Sequence, residues 1–283
     1  MKVHEIKIKR MYYKNSKLYA LNNIDKEKLN ENSEFLIGSI TKVFTAILLL
    51  ILHQEKKINI NKTFKKYLDN KELENVKIIN VMNHISGFKE IQDGYDYKGI
   101  EKKYNNSTEV YNDFKNEKLI KHKKGIFKYS NIGYIFLGAL IESVTNMTYE
   151  EAVHKKILEP LKMNHTGFDK TNITLYTNNN CKLTNIQNNE RMFCGSAGGF
   201  KTSISNLIKF KNIPKLLNKQ TLKLLQIIYI LKKNKDKKTY NINHIDGILG
   251  GSANLNIIYD TNWKFKDINI TVSAIKQDHS INL

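Results

Sequence analysis

The stretch Phe35-Leu-Ile-Gly-Ser-Ile-Thr-Lys-Val-Phe-Thr-Ala46 decides how this chain is interpreted. It places Ser39 after a short apolar segment typical of a strand and before a long apolar run from Val43 to Leu52. That run is apolar nearly all round, which predicts a central buried helix rather than a surface helix. Lys42 follows Ser39 by three residues, so a helix would carry both side chains on one face, one turn apart.

A serine and a lysine in this arrangement are suited to nucleophilic catalysis. A neutral lysine amine can take the proton of the serine hydroxyl. A serine at a helix N-terminus also lies at the positive end of the helix dipole, which stabilises a developing alkoxide. We therefore predict that Ser39 is a nucleophile and that Lys42 is its activating base.

The Ser-x-x-Lys spacing alone is a weak signal in a lysine-rich chain. It occurs twice more, in the segments Ser86–Lys89 and Ser273–Lys276. A glycine follows Ser86 directly and is a poor start for a helix. Ser273 lies in a strand-like run, where residues three apart point to opposite faces. Ser39 is therefore the preferred candidate.

The segment around Ser39 resembles, nearly residue for residue, the nucleophile segment of a known family: the class C serine β-lactamases with their D,D-peptidase (carboxypeptidase) and esterase relatives. Other segments resemble motifs of that family in the expected order, over roughly residues 30 to 260: Asn83-His-Ile-Ser-Gly-Phe88 (the His-Thr-Ser-Gly turn, a structural landmark), Gly125-Ile-Phe-Lys-Tyr-Ser-Asn-Ile-Gly-Tyr134 (the Tyr-x-Asn motif), Leu137-Gly-Ala-Leu-Ile-Glu142, Ile157-Leu-Glu-Pro-Leu-Lys-Met163 and Ala197-Gly-Gly-Phe200. An ordered set of motifs is far more specific than any single one.

The resemblance implies roles for Tyr129 and Asn131. Tyr129 would be the general base or acid that carries a proton to the leaving group, and Asn131 would hydrogen-bond the amide of the substrate. Other Tyr-x-Asn matches begin at Tyr13, Tyr104 and Tyr176, but only Tyr129 has a glycine turn before it and an apolar helix after it. The alternative for Tyr129 is a partly buried core tyrosine.

The third motif of the family, Lys-Thr-Gly or His-x-Gly, matches less well. In the family its basic residue helps to anchor an acidic group of the substrate. The best match here runs from Gly247 to Asn254 and has Ile248 at the basic position. His244 lies four residues earlier, out of register for a regular strand. We therefore expect His244 at the surface or at a strand edge.

Backbone groups of this motif can still serve the reaction. Gly250 and Gly251 are expected to bind the substrate, and the N–H of Gly251 would form an oxyanion hole with that of Ser39, a role that needs no side chain. Acylation would then be retained while recognition of a carboxylate is weakened. This favours an esterase or peptidase over an efficient β-lactamase.

The order of strand-like and helical segments fits the same family. Strands are expected at 6–13 and 17–21 (a hairpin), 255–259 and 268–275, and helices at 133–144, 150–158 (closing at Pro160), from 204 with Ser203 as its cap, and 222–231. With the resemblance, this predicts one β-lactamase/transpeptidase-like α/β (α+β) domain over residues 1–283. Both termini (1–57 and 213–283) would form an antiparallel sheet flanked by helices, and 58–212 a mainly helical part.

The chain also departs from the lengths that the family leads us to expect. It stops soon after its last strand, without a further C-terminal helix. The segment from Lys232 to Gly247 is short and polar where another strand is expected. We expect both departures to thin the layer that supports Ser39.

The formal net charge of +19 favours anionic partners. Arginine, the residue most used for base and phosphate contacts, occurs only at Arg10 and Arg191, whereas lysine is abundant. We therefore expect lysine-rich solvated surfaces and no nucleic-acid partner, with an anionic polymer as a further candidate. The sequence gives no oligomeric state.

Other classes of site are not indicated. The histidines form no His-x-x-x-His pair or His/Cys cluster, so neither a metal nor a cofactor is expected. The cysteines, Cys181 and Cys194, are expected as free thiols. No apolar signal segment opens the chain and no apolar run is long enough to span a bilayer, so we expect a soluble cytoplasmic protein.

Two functional hypotheses follow. The first is a serine hydrolase that forms an acyl-enzyme on Ser39 and acts on D-alanyl peptides, D-alanyl esters, β-lactams or small carboxylic esters. The second is a catalytically degenerate relative that keeps the fold as a binding or scaffold protein, suggested by Ile248 and the short C-terminus. The joint presence of Ser39, Lys42, Tyr129 and Asn131 favours the hydrolase.

Overall fold

The computed structural model of the chain describes residues 8–89, 104–179, 182–186, 195–233, 238–248 and 251–275. The strands are β1 (Lys9–Lys14), β2 (Lys17–Asn22), β3 (Glu34–Leu36), β4 (Leu175–Asn179), β5 (Lys182–Ile186), β6 (Lys201–Ser203), β7 (Leu231–Lys233), β8 (Thr239–Ile248), β9 (Gly251–Asp260) and β10 (Phe265–Ser273). The α-helices are α1 (Thr41–Gln54), α2 (Ile78–Met82), α3 (Ser107–Phe114), α4 (Asn131–Thr145), α5 (Tyr149–Val153), α6 (Glu159–Leu161), α7 (Gly195–Gly198), α8 (Ile204–Lys209) and α9 (Lys219–Leu225).

The main sheet is antiparallel and has six strands in the order β2-β1-β10-β9-β8-β7. The N-terminal and C-terminal strands meet where Arg10 pairs with Ser273. The β1–β2 hairpin turns at Asn15 and Ser16, whose φ angles of 51° and 59° are the left-handed values that two-residue hairpin turns favour. The prediction that both termini build the sheet is confirmed.

Helix α1 lies in the centre of the fold. Every residue from Thr41 to Leu52 is buried. The ring of Phe44 packs against Phe200 and Phe210, with centroid distances of 5.1 and 4.2 Å. Burying one such apolar side chain stabilises a fold by about 1.5–3 kcal/mol. The first turn of α1 is therefore held firmly in place.

Helix α4 is the second central helix. Ser130 caps its N-terminus, because its hydroxyl accepts the N–H of Gly133 at 3.1 Å. Gly138 lets neighbouring segments approach closely: a Cβ there would lie 2.2 Å from Oγ of Ser196 and 2.3 Å from Oγ of Ser107. Since α4 packs directly against α1 and α7, its N-terminus is brought close to the N-terminus of α1.

Two expectations for the chain after residue 220 were wrong. Residues 222–231 are not one helix, because α9 ends at Leu225 and Leu231 already begins β7. The polar segment 232–247 does contain a strand, β8. Alternate residues of β8, namely Tyr240, Ile242 and His244, are buried, and the intervening asparagines account for its polar composition.

Of two other predicted helix ends, one is confirmed and one is wrong. Ser203 caps α8 as expected, by accepting the N–H of Asn206. Pro160 does not close the helix over 150–158, because it lies inside the short α6, where the first helical turn tolerates proline. The chain leaves the helix at Lys162, with a left-handed φ of 57°.

Some predicted features lie outside the described residues: Cys181, Arg191, Cys194, Gly250 and Lys276. Within the described segments, none of the helices combines the length and the apolar character that crossing a membrane requires.

Candidate active site

Ser39 lies in a 3-10 turn, Gly38–Ile40, between β3 and α1. Gly38 has a φ of 48°, so the chain turns sharply from strand to helix at a residue that tolerates this conformation. The N–H of Ile37 donates to the carbonyl of Phe200 at 3.0 Å. This bond fixes the segment before Ser39 to the residue that precedes β6. Strands β8 and β9 pack against the turn. Ser39 is thus held in a fixed turn and is only 5% exposed.

Lys42 is fully buried, and its Nζ contacts three oxygen atoms. These are Oγ of Ser39 at 2.7 Å, Oδ1 of Asn131 at 2.6 Å and the carbonyl oxygen of Ala197 at 2.6 Å. An amide or carbonyl oxygen can only accept a hydrogen bond. When the amine is neutral, its two N–H groups are used by Asn131 and Ala197, and its lone pair is directed at Ser39. The geometry therefore suits transfer of the serine proton to Lys42.

Tyr129 reaches Ser39 from the other side. Its hydroxyl donates to Oγ of Ser39 at 2.6 Å. Nζ of Lys42 also lies 4.8 Å from the centre of the Tyr129 ring, within the range of a cation–π contact. Tyr129 is partly exposed, so a substrate can approach its hydroxyl from solvent. The structure thus places the predicted nucleophile, base and tyrosine in direct contact.

Asn131 is the first residue of α4, and its side-chain oxygen contacts Nζ of Lys42. Its contact with Lys42 was not foreseen from the sequence, which suggested only binding of a substrate amide. Ala197 was also missed, because it acts through a backbone carbonyl that any residue type would supply. The one sequence signal for Ala197 was its place in the Ala197-Gly-Gly-Phe200 motif.

His84 lies behind Tyr129 and is 2% exposed. The two rings stack with centroids 4.4 Å apart and planes inclined by 26°. Nδ1 of His84 accepts the N–H of Ser130 at 3.1 Å, which places the proton of the neutral ring on Nε2. Nε2 is buried without a hydrogen-bond partner in the described part of the chain. Burial, and then the charge of Lys42, lower the pKa of His84 to about 3, so this imidazole is neutral.

His244 was wrongly expected at the surface or at a strand edge. It is 5% exposed, and its Nδ1 lies 3.2 Å from the hydroxyl of Tyr229. The rings of Tyr229 and His84 are 4.8 Å apart, which links His244 to the group behind Tyr129. The alternation of Tyr240, Ile242 and His244 along β8 was the sequence signal that could have revealed its burial.

The glycines of the third motif are only partly described. Gly251 begins β9, and a Cβ there would lie 2.9 Å from the carbonyl oxygen of Ser273 and 3.3 Å from that of Leu36. The chain is therefore packed too closely here for a side chain, beside the segment that leads to Ser39. Ile248 pairs with Gly251 in the β8–β9 ladder.

Residues of the competing motif matches form hydrogen bonds in other parts of the fold. Nζ of Lys89 donates to Glu117 at 2.6 Å, and the hydroxyl of Ser273 donates to the carbonyl of Ile275 at 3.1 Å. The hydroxyl of Tyr104 donates to Asp113 and that of Tyr176 to Asp25. These contacts support the choice of Ser39 and Tyr129 over their alternatives.

A cavity of about 290 Å³ opens beside α7, next to Gly195 and Gly199. Its wall includes Ser107, Glu142 and Phe168 but none of Ser39, Lys42 and Tyr129. We therefore do not assign it to the reacting part of a substrate.

The family to which the chain belongs follows from comparison with known proteins. The family model described as Beta-lactamase matches residues 10–249, which is well over half of the chain. The chain is a member of the Beta-lactamase family, and the resemblance inferred from its motifs is confirmed.

Two relatives from Staphylococcus aureus match part of the chain. The chain is 36% identical over 157 residues to the teichoic acid D-alanine hydrolase of Staphylococcus aureus, a match that covers 55% of this chain and 38% of that protein. The match therefore spans well under two thirds of the relative. A second relative, protein flp of S. aureus, is 31% identical over 165 residues, covering 56% of this chain and 32% of that protein.

Solved structures show the same fold. The penicillin binding protein from Bacillus halodurans matches with a TM-score of 0.77 and 18% identity, over 95% of this chain and 91% of that one. FmtA from S. aureus matches with a TM-score of 0.72 and 24% identity, over 97% and 79%. The β-lactamase/transpeptidase-like mixture of an antiparallel sheet and helices is as predicted.

Proposed function

We propose that this protein is a serine hydrolase that forms an acyl-enzyme on Ser39, with D-alanyl esters as its preferred substrates. The observation that carries the proposal is the position of Oγ of Ser39, which lies 2.7 Å from Nζ of Lys42 and 2.6 Å from the hydroxyl of Tyr129. A nucleophile, a proton acceptor and a proton donor are thus in hydrogen-bond contact before any substrate arrives.

The first half-reaction uses this contact directly. Neutral Lys42 takes the proton of Ser39 while Oγ bonds to the acyl carbon of the substrate. The carbonyl oxygen becomes an oxyanion, which the N–H groups of Ser39 and Gly251 would stabilise. The bond to the leaving group then breaks, and Tyr129 supplies the proton that the departing alkoxide needs. Lys42 can return a proton to Tyr129, because Nζ and the phenol hydroxyl lie next to each other, both in contact with Oγ of Ser39.

The second half-reaction returns the free enzyme. A water molecule takes the place of the leaving group, gives a proton to Lys42 and attacks the acyl carbon. The bond between that carbon and Oγ of Ser39 breaks, and Oγ regains a proton from Lys42. The products are a carboxylic acid and the alcohol released in the first half-reaction.

The substrate class rests on two observations. The most relevant named relative is a teichoic acid D-alanine hydrolase, at 36% identity over 157 residues. The excess of positive charge in the chain suits an anionic polymer that carries such esters. D-alanyl peptides are the next substrate class to test.

The direct test is intact-mass labelling of the purified protein with a fluorophosphonate and, separately, with a penicillin. We expect one fluorophosphonate adduct, absent from Ser39→Ala. The Ser86→Ala variant is the matched control, since Ser86 has the same spacing to a lysine but is buried, and that lysine, Lys89, pairs with Glu117; it should keep the adduct. Absence of an adduct on folded protein would favour the degenerate scaffold.

A second assay addresses the substrate. The methyl esters of D-alanine and L-alanine differ only in configuration, so their kcat/KM values can be compared directly. We expect the D-ester to be hydrolysed faster, and hydrolysis to be lost in Ser39→Ala. A preference for the L-ester would contradict the D-alanyl assignment while leaving the serine mechanism intact.

A further inference from the structure

One surface segment next to the site combines positive charge with exposed apolar side chains. The basic loop (Lys121–Lys128) reads Lys-His-Lys-Lys-Gly-Ile-Phe-Lys and contains no acidic residue. Its four lysines are exposed. Ile126 is 58% exposed and Phe127 is 55% exposed, which makes them two of the most exposed large apolar side chains in the described part of the chain.

The basic loop is held in one conformation. The N–H of His122 donates to the carbonyl of Gly87 at 3.0 Å, that of Gly125 to Ile85 at 2.8 Å, and that of Lys128 to His84 at 2.7 Å. A Cβ on Gly87 would lie 2.3 Å from the carbonyl oxygen of His122, so the two segments are in close contact. These hydrogen bonds fix the backbone that exposes the apolar side chains to solvent. Docking would therefore cost little conformational entropy.

We propose that the basic loop docks the protein onto an anionic lipid surface. Lysines alone would serve a soluble polyanion, whereas Ile126 and Phe127 gain only from a partner that offers an apolar layer beneath its charges. The membrane interface is such a partner. The net charge of +19 adds long-range attraction to the same surface.

Docking there would also orient the active site. The basic loop leads directly into Tyr129, and the ring of Phe127 lies 5.7 Å from that of Tyr229 and 5.8 Å from that of His84. The partly exposed Tyr129 would therefore lie close to the lipid headgroups. This inference concerns binding and does not depend on the proposed hydrolysis.

The test uses the full chain and sedimentation with vesicles of phosphatidylglycerol and phosphatidylcholine in equal parts, compared with phosphatidylcholine alone. We expect binding to the anionic vesicles only. Each of Lys123→Gln and Lys124→Gln should weaken it about fivefold. Ile126→Ser should weaken it about tenfold. Leu18→Ser on β2 is the matched control, since Leu18 is 37% exposed away from the basic loop, and it should leave binding unchanged.

A fluorescence measurement separates lipid insertion from attraction by charge alone. Phe127→Trp keeps an aromatic ring at this position, and its emission should shift to the blue on anionic vesicles. Leu21→Trp on β2 should show no shift. The native Trp263, packed 5.0 Å from the ring of Tyr240, provides a constant background. Binding without a shift at position 127 would overturn the proposal in favour of attraction by charge alone, as to a soluble anionic polymer. Equal loss of binding in Leu18→Ser would overturn it as well, because binding would then not depend on the basic loop.

Discussion

The imidazole of His84 and the phenol ring of Tyr129 are stacked at a centroid distance of 4.4 Å. Nζ of Lys42 lies 4.8 Å from the centre of the same phenol ring. The ring of Tyr129 therefore contacts both a buried neutral imidazole and the lysine amine. In the proposed reaction the hydroxyl must stay on Oγ of Ser39 while protons move, so we predict that His84 positions Tyr129, a role that its motif did not reveal.

The His84→Asn variant tests this positioning role. Asparagine tolerates the left-handed φ of 55° at this position and can still accept the N–H of Ser130, so mainly the stacked ring is lost. We expect kcat/KM for an alkyl D-alanyl ester to fall about tenfold more than for an activated p-nitrophenyl ester, which needs no proton from Tyr129.

A double-mutant cycle provides the control for His84. If His84 acts through Tyr129, adding His84→Asn to Tyr129→Phe should lower activity little further. A purely structural role of His84 would instead slow both kinds of ester equally, and its effect would add to that of Tyr129→Phe.

Replacing Lys42 should abolish most of the activity. In Lys42→Met the serine loses its proton acceptor, and we expect kcat to fall by about 10²–10⁴. Lys89→Met is the matched control, because Lys89 has the same spacing to a serine but pairs with Glu117. Measured rates of fluorophosphonate labelling should separate the two variants. Equal rates in both would remove Lys42 from the mechanism.

Asn131 gives a prediction that separates two roles. If its main role is to hold Lys42 through the 2.6 Å contact, Asn131→Ala should lower kcat and leave KM nearly unchanged. Binding of a substrate amide, the role implied by the resemblance, should instead raise KM. Steady-state kinetics with one D-alanyl ester distinguishes these outcomes.

The neutral His84 also predicts how stability depends on pH. Its pKa is lowered from 6.5 to about 3 on folding, so below about pH 6.5 the unfolded chain binds a proton that the folded protein does not. The free energy of unfolding should therefore fall as pH decreases through this window. From about pH 7 to pH 5, the wild type should lose about 2 kcal/mol more than His84→Asn in urea titrations. An identical decrease in both proteins would show that His84 is not the source.

Much of the site was predictable because it is encoded in short spacings. Ser39 and Lys42 lie one turn apart at the start of a buried helix, and this relation depends only on local geometry and apolar periodicity. The strands at both termini were recognisable for a similar reason, since alternation and β-branched residues are local signals. Ordered motifs then supplied Tyr129 and Asn131.

The missed features depend on tertiary packing. Whether the carbonyl of Ala197 faces Lys42 is decided by how α7 packs on α1, and residue type carries no signal for it. His244 was misjudged because the polar composition of β8 hid its alternation. The helix expected over 222–231 is right only as far as Leu225, because residues 226–230 form turns that an apolar run does not reveal.

The Tyr-x-Asn motif leaves the position between Tyr129 and Asn131 variable, yet Ser130 forms hydrogen bonds through both its hydroxyl and its backbone N–H. Its hydroxyl donates to the carbonyl of Lys89 at 2.9 Å and caps α4, while its N–H donates to His84. Tyr129 lies just outside the helix and Asn131 just inside it. The end of a helix thus sets how far both side chains reach, and a substitution of Ser130 would disturb their alignment before it disturbed the fold.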